Sequence, residues 1–112
     1  MSKEERASTL ADRLDKLFKT MHPGHRGEYS TQEVCDGIRA QGGPTISPVY
    51  LWQLRKGHRT NPSKEHLEAL AHFFGVSPSY FMDEDVSDID EQLELLALLR
   101  DRQVQHIAFR AA

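Results

Sequence analysis

Punctuation restricts this chain more than any other feature. Helix start and stop signals alternate through the first 80 residues at spacings too short for any long element. Thr9, Ser30 and Ser47 stand as side-chain caps ahead of apolar-periodic runs, while Asn61-Pro62 and Ser77-Pro78 each place a polar residue before a proline suited to a first helical turn. His22-Pro23-Gly24, Gly42-Gly43-Pro44, Gly57 and Gly75 end what those signals begin. Between them the apolar period is that of helices, and no stretch alternates convincingly as a half-buried strand would. An all-α fold follows.

Helix 1 is expected over residues 9–21, with Leu10, Leu14, Leu17, Phe18 and Met21 on one face and Asp12 completing a capping box with Thr9. Helix 2 opens at Ser30, where Glu33 is placed to reach back to the cap, and turns Val34, Cys35 and Ile38 inward. Helix 3 takes Ser47 as cap and Pro48 as first residue; Ile46 is placed to staple against Leu51. Asn61-Pro62 reads as the start of helix 4, whose buried stripe is Leu67, Leu70, Ala71 and Phe74. A short turn from Ser77-Pro78 to Tyr80-Phe81 completes five helices, expected as one domain over residues 1–82.

Residues 83–112 form a second region, helical from about Asp88 to Ala111. Ile89, Leu93, Leu96 and Ala97 cluster on one side of that helix, and Leu95, Leu98 and Leu99 on the other. Two apolar faces need two partners. The first is expected on the chain's own domain and the second, extended by Val104 and Ile107, on a second copy in a homodimer. In an alternative arrangement Asp101-Arg102 turns the chain so that Val104, Ile107 and Ala108 cover that face internally.

The net charge of −3 looks unfavourable for a nucleic-acid partner, but its distribution reverses that impression. Residues 1–80 carry eleven Lys and Arg against nine Asp and Glu, whereas residues 81–112 carry three against eight. From Arg55 to Lys64 there are four cations, one histidine and no acid. Other function classes find little support. Cys35 is the only cysteine, so internal disulfides and cysteine zinc motifs are excluded, and its place on the apolar side of helix 2 marks it as core rather than nucleophile. His22 and His25 are separated by a Pro-Gly break and have no further ligand nearby, so no metal or other cofactor is expected. No phosphate-cradling glycine loop or Ser-His-Asp pattern points to an enzyme, and no small-molecule effector site is evident. The chain has no membrane-length apolar run and no apolar leader after Met1, so a cytoplasmic location is expected.

Helix 3 carries the functional expectation. Leu51 and Leu54 define its core side, leaving Val49, Gln53 and Lys56 outward with Trp52 on the flank. A helix of this kind fits the DNA major groove, where residues near its start, Ser47, Val49, Tyr50 and Gln53, meet base edges. Gln53 is suited to adenine through two hydrogen bonds and Val49 to a thymine methyl, whereas Tyr50 lies on the border between core packing and DNA contact. Phosphate contacts are expected from Thr31 and Gln32 at the start of helix 2 and from Arg55, Lys56, His58, Arg59, Thr60, Asn61, Ser63 and Lys64. Asn61 and Ser63 also have a competing role as caps of helix 4. A helix-turn-helix fold does not by itself secure DNA binding, so the rival reading is a protein-interaction module, such as an antitoxin or adaptor.

The stretch Leu51-Trp52-Gln53-Leu54-Arg55-Lys56-Gly57-His58-Arg59-Thr60-Asn61-Pro62-Ser63, with Leu67, Ala71, Phe74, Gly75-Val76-Ser77 and Tyr80-Phe81 beyond it, resembles the Cro/CI (XRE) repressor family. Within that group, nearly the whole chain is similar to the actinobacterial EspR-like regulators. The resemblance implies a five-helix, lambda-repressor-like helix-turn-helix DNA-binding domain, a C-terminal helical dimerisation segment, and transcriptional or nucleoid-level control in a bacterium. Two departures stand out. The connection from Gln41 to Ile46 is longer than the usual tight turn, and Arg55 occupies a position where many relatives carry an acid, which adds charge near DNA and removes a usual internal ion-pair partner.

Overall fold

The computed structural model describes residues 8–111, with side chains described as far as residue 103. It contains α1 (Leu10–Thr20), α2 (Thr31–Ala40), α3 (Pro48–Arg55), α4 (Lys64–Phe74), α5 (Ser79–Met82) and α6 (Ser87–Ala111). The fold is all-α, with no strand among the described residues.

Local signals set most boundaries. The Thr9 hydroxyl accepts from the Asp12 amide at 3.1 Å while the Asp12 carboxylate accepts from the Thr9 amide at 2.9 Å. Ser30 and Glu33 make the same reciprocal pair at the head of α2, satisfying amides that a helix start leaves without carbonyl partners. Ser47 caps α3 through the Tyr50 amide, with Pro48 in the first turn. Gly57 and Gly75, both at φ +79°, reverse the chain after α3 and α4 in the left-handed conformation that a side chain would strain. One boundary differs from expectation. The cap of α4 is Ser63, whose hydroxyl accepts from the His66 amide at 3.2 Å, so Asn61-Pro62 stays outside the helix as loop.

The amphipathic faces meet in one core. Leu14, Leu17 and Phe18 from α1, Val34, Cys35 and Ile38 from α2, Leu51 and Leu54 from α3, and Leu70, Ala71 and Phe74 from α4 are all buried together with Ile46, Tyr80 and Phe81. Removing either α3 leucine would cost about 2–5 kcal/mol in lost burial and residual cavity. Gly37 lets α2 approach α4, since a Cβ there would lie 2.4 Å from the Phe73 ring. The longer α2–α3 connection is tied down: the Gly43 amide donates to the Ile38 carbonyl at 2.9 Å, and Ile46 is buried immediately before α3.

The segment after α5 joins this core through Val86 and Leu93. A buried arginine secures the join. Arg13 on α1 donates to the carbonyls of Tyr80, Asp83 and Glu84, fixing the acidic link between α5 and α6 from below. Lys16 pairs with Glu94, and Arg100 donates to the carbonyls of Thr20 and His22 at the end of α1. The first half of α6 is thus held along α1. Its helix passes through Asp101-Arg102 without the turn of the alternative arrangement.

Candidate nucleic-acid interface

The α3 helix is short because Ser47 and Pro48 start it and Gly57 reverses the chain just beyond Arg55. It lies against α1 and α2, with Leu51 and Leu54 fully buried behind it. Its other side is open: Val49 is 67% exposed and Trp52 45%, and Lys56 is exposed one turn later. Ser47 is exposed at the start, its oxygen already accepting from the Tyr50 amide.

Gln53 and Tyr50 are less free than their spacing suggests. The Gln53 side-chain oxygen accepts from Arg59 Nε at 2.7 Å, and its backbone carbonyl accepts from the His58 and Arg59 amides at 2.8 and 3.2 Å. The turn after Gly57 therefore folds back onto Gln53. Arg59 also lies over the Tyr50 ring, 5.5 Å from its centre, while the Tyr50 hydroxyl is 3.2 Å from His66 Nδ1. Half-buried Tyr50 thus bridges α3 and α4 at the edge of the exposed face.

The remaining polar groups flank that face. His58 stacks edge-on against Trp52, with ring centres 5.2 Å apart. Lys56, His58, Arg59, Thr60, Asn61, Ser63 and Lys64 are all exposed, and the Lys64 ammonium sits 3.8 Å from Glu68. On the other flank Thr31 is half-buried in the first turn of α2; Gln32 is exposed and donates to Asp36 at 2.9 Å.

Arg55 departs from its expected phosphate-facing role. Its side chain is only 15% exposed, and it donates to Asp15 at 2.9 Å and to Glu28 at 2.8 Å. The guanidinium lies 4.3 Å from the centre of the Phe18 ring. Burial disfavours the charged Asp15 carboxylate, but hydrogen bonds from Lys19 and Arg55 prevail and hold it below its ordinary pKa. The acid usual at this position is absent, and Arg55 forms an internal pair of the opposite polarity, with Asp15 and Glu28 supplying the negative charge.

The α6 helix presents a second exposed feature. Leu95, Leu96, Leu98 and Leu99 of α6 are 51% to 55% exposed. Leu96 was expected on the domain-facing side; it overhangs a cleft of about 400 Å³ bordered by Met21, Pro23, Tyr29, Phe73 and Arg100, which leaves it half uncovered. The side chains of Val104 and Ile107 lie outside the described residues. Sequence reasoning missed Arg13 and Arg100, whose partners are backbone carbonyls 67 to 80 residues away, and it missed the Gln53–Arg59 pair, which the Gly57 reversal could have signalled.

Among the described residues no helix is long and apolar enough to cross a membrane, and no group of three or more His, Cys, Asp or Glu could hold a metal ion. No protein-family model matches the chain. Two curated relatives, both nucleoid-associated protein EspR from Mycobacterium tuberculosis, strains CDC 1551 / Oshkosh and ATCC 25618 / H37Rv, are each 42% identical to it over 106 residues. The match covers 94% of this chain and 80% of each relative. Identity at that level, over nearly the whole of an all-helical fold, places the chain in the family of the nucleoid-associated protein EspR.

Proposed function

We propose that this protein is a sequence-specific double-stranded DNA-binding transcriptional regulator that places α3 in the major groove. The observation that carries this reading is the division of α3: Leu51 and Leu54 anchor it from behind, while Val49, Trp52 and Lys56 remain exposed beside a run of cations. The family relationship to nucleoid-associated proteins supports it. Ser47, Val49, Tyr50 and Gln53 would meet bases; Thr31, Gln32, Lys56, His58, Arg59, Thr60, Asn61, Ser63 and Lys64 would meet phosphates and fix register. Arg55 leaves that second set and becomes the brace behind α3.

We further propose a homodimer, with residues 1–82 as the DNA-binding unit and 83–112 as the dimerisation unit. Leu95, Leu98 and Leu99 form its seam, continued in sequence by Val104 and Ile107. An exposed row of leucines on a helix is the kind of surface that a second copy covers.

Trp52 is the only tryptophan, so its emission reports directly on the α3 face. Titration with duplex DNA should change that emission, and affinity should fall by about 10³ between 50 and 200 mM salt if six or more phosphates are neutralised. Binding unaffected by salt, or unaffected by replacing Lys56, Arg59 and Lys64 with alanine, would refute the DNA reading in favour of a protein-interaction module.

A further inference from the structure

The hydrogen bond between Gln53 and Arg59 limits what the outer face of α3 can recognise. An arginine Nε–H can only donate, so the atom 2.7 Å from it is the Gln53 oxygen, and the Gln53 amino group is directed elsewhere. The pairing does not depend on side chains alone. Gly57, at φ +79°, turns the chain so that the His58 and Arg59 amides both donate to the Gln53 carbonyl. The Tyr50 ring lies beneath the Arg59 guanidinium, and Tyr50 is itself tied to His66. Backbone and aromatic contacts thus fix Arg59 where it occupies the Gln53 acceptor.

A glutamine reads adenine by donating to N7 and accepting from the N6 amino group. Arg59 takes one of the two lone pairs of that oxygen, so Gln53 keeps both of its donors and a single acceptor site. Among the described residues, neither terminal nitrogen of Arg59 donates to a protein atom, so the guanidinium adds further donors beside it. A surface in which donors outnumber acceptors matches a base edge composed of acceptors, and in the major groove guanine presents two, O6 and N7.

The geometry points to a specificity device, resting on the DNA reading above: Arg59 engages the Gln53 oxygen and turns an adenine-reading glutamine into part of a donor-rich surface that favours guanine. Arg59 is a positioning residue for Gln53 as well as a cation near the duplex. The test is selection from a randomised duplex library with the wild-type protein, Gln53→Ala and Arg59→Met, each first shown to keep the native helical signal and melting transition. The position whose preference disappears in Gln53→Ala is the one beneath Gln53.

At that position the wild type should prefer guanine over adenine by about tenfold, and Arg59→Met should reverse the order while leaving the other selected positions unchanged. Loss of a phosphate contact alone would weaken binding to all sequences and leave the preference intact, so it cannot imitate the reversal. Adenine preferred by the wild type, no preference beneath Gln53, or guanine retained by Arg59→Met would each overturn the device while leaving DNA binding intact. Absence of any enriched sequence together with absence of salt-dependent duplex binding would overturn the DNA reading itself.

Discussion

Replacing Arg55 by methionine separates structural from DNA-contacting charge. Methionine keeps an unbranched apolar stem against Phe18 but removes the guanidinium and both carboxylate bonds. Asp15 and Glu28 are 32% and 41% exposed and can be rehydrated, so each pair contributes about 0.5–1 kcal/mol rather than a fully buried value. The guanidinium over Phe18, largely withdrawn from water, adds about 1 kcal/mol. Together the loss is about 2–3 kcal/mol, which for a chain of this size lowers the melting temperature by roughly 10 °C. Circular dichroism melts measure that shift. At a temperature where the variant remains folded, its slope of log affinity against log salt should equal the wild type's, whereas Lys56→Ala should reduce the slope by about one. An Arg55→Met protein that melts within about 2 °C of the wild type and shows the shallower salt slope would refute the brace and restore Arg55 to the phosphate contacts.

Four other outcomes can be checked. Leu95→Asp combined with Leu99→Asp should give a folded monomer with strongly weakened DNA binding; sedimentation showing the wild type already monomeric at micromolar concentration would refute the seam. Ser30→Ala should cost about 1 kcal/mol in chemical denaturation by removing the α2 cap. The Glu33 carboxyl is held down at about 2, first by its hydrogen bonds to Arg26 and then by the Ser30 amide; its stabilisation should be complete above its ordinary pKa of 4.5 and disappear as pH falls through about 2. Glu33→Gln should flatten that part of a stability profile between pH 5 and 2. Arg13→Met, which strips donors from three carbonyls, should cost about 3 kcal/mol and raise amide exchange around residues 80–86.

The elements were legible in this sequence because their signals are local. Thr9, Ser30 and Ser47 each cap an amide three residues on, and Gly57 and Gly75 act within one turn of the helices they end. Helix 4 misled because Asn61-Pro62 and Ser63 offer competing starts two residues apart, and nothing local ranks them. The inward-turned arginines were illegible for a different reason. Arg55 meets Asp15 across 40 residues and Arg13 meets Tyr80 across 67, distances at which a cation in sequence looks the same whether it faces phosphate or carbonyl. The exposed α3 face was readable from the positions of Leu51 and Leu54. The occupied oxygen of Gln53 was not, since it depends on where a turn returns in three dimensions.

Asp83-Glu84-Asp85 has the composition of a hinge, yet two of its carbonyls are bound by the guanidinium of Arg13. A protease should therefore find a poor substrate in a segment that looks inviting by charge and position. Lengthening this stretch by even one residue would pull its oxygens out of register with the arginine, so insertions tolerated in an ordinary surface loop should be rejected here. Swinging of α6 about this stretch would first have to break contacts made from the opposite end of the chain.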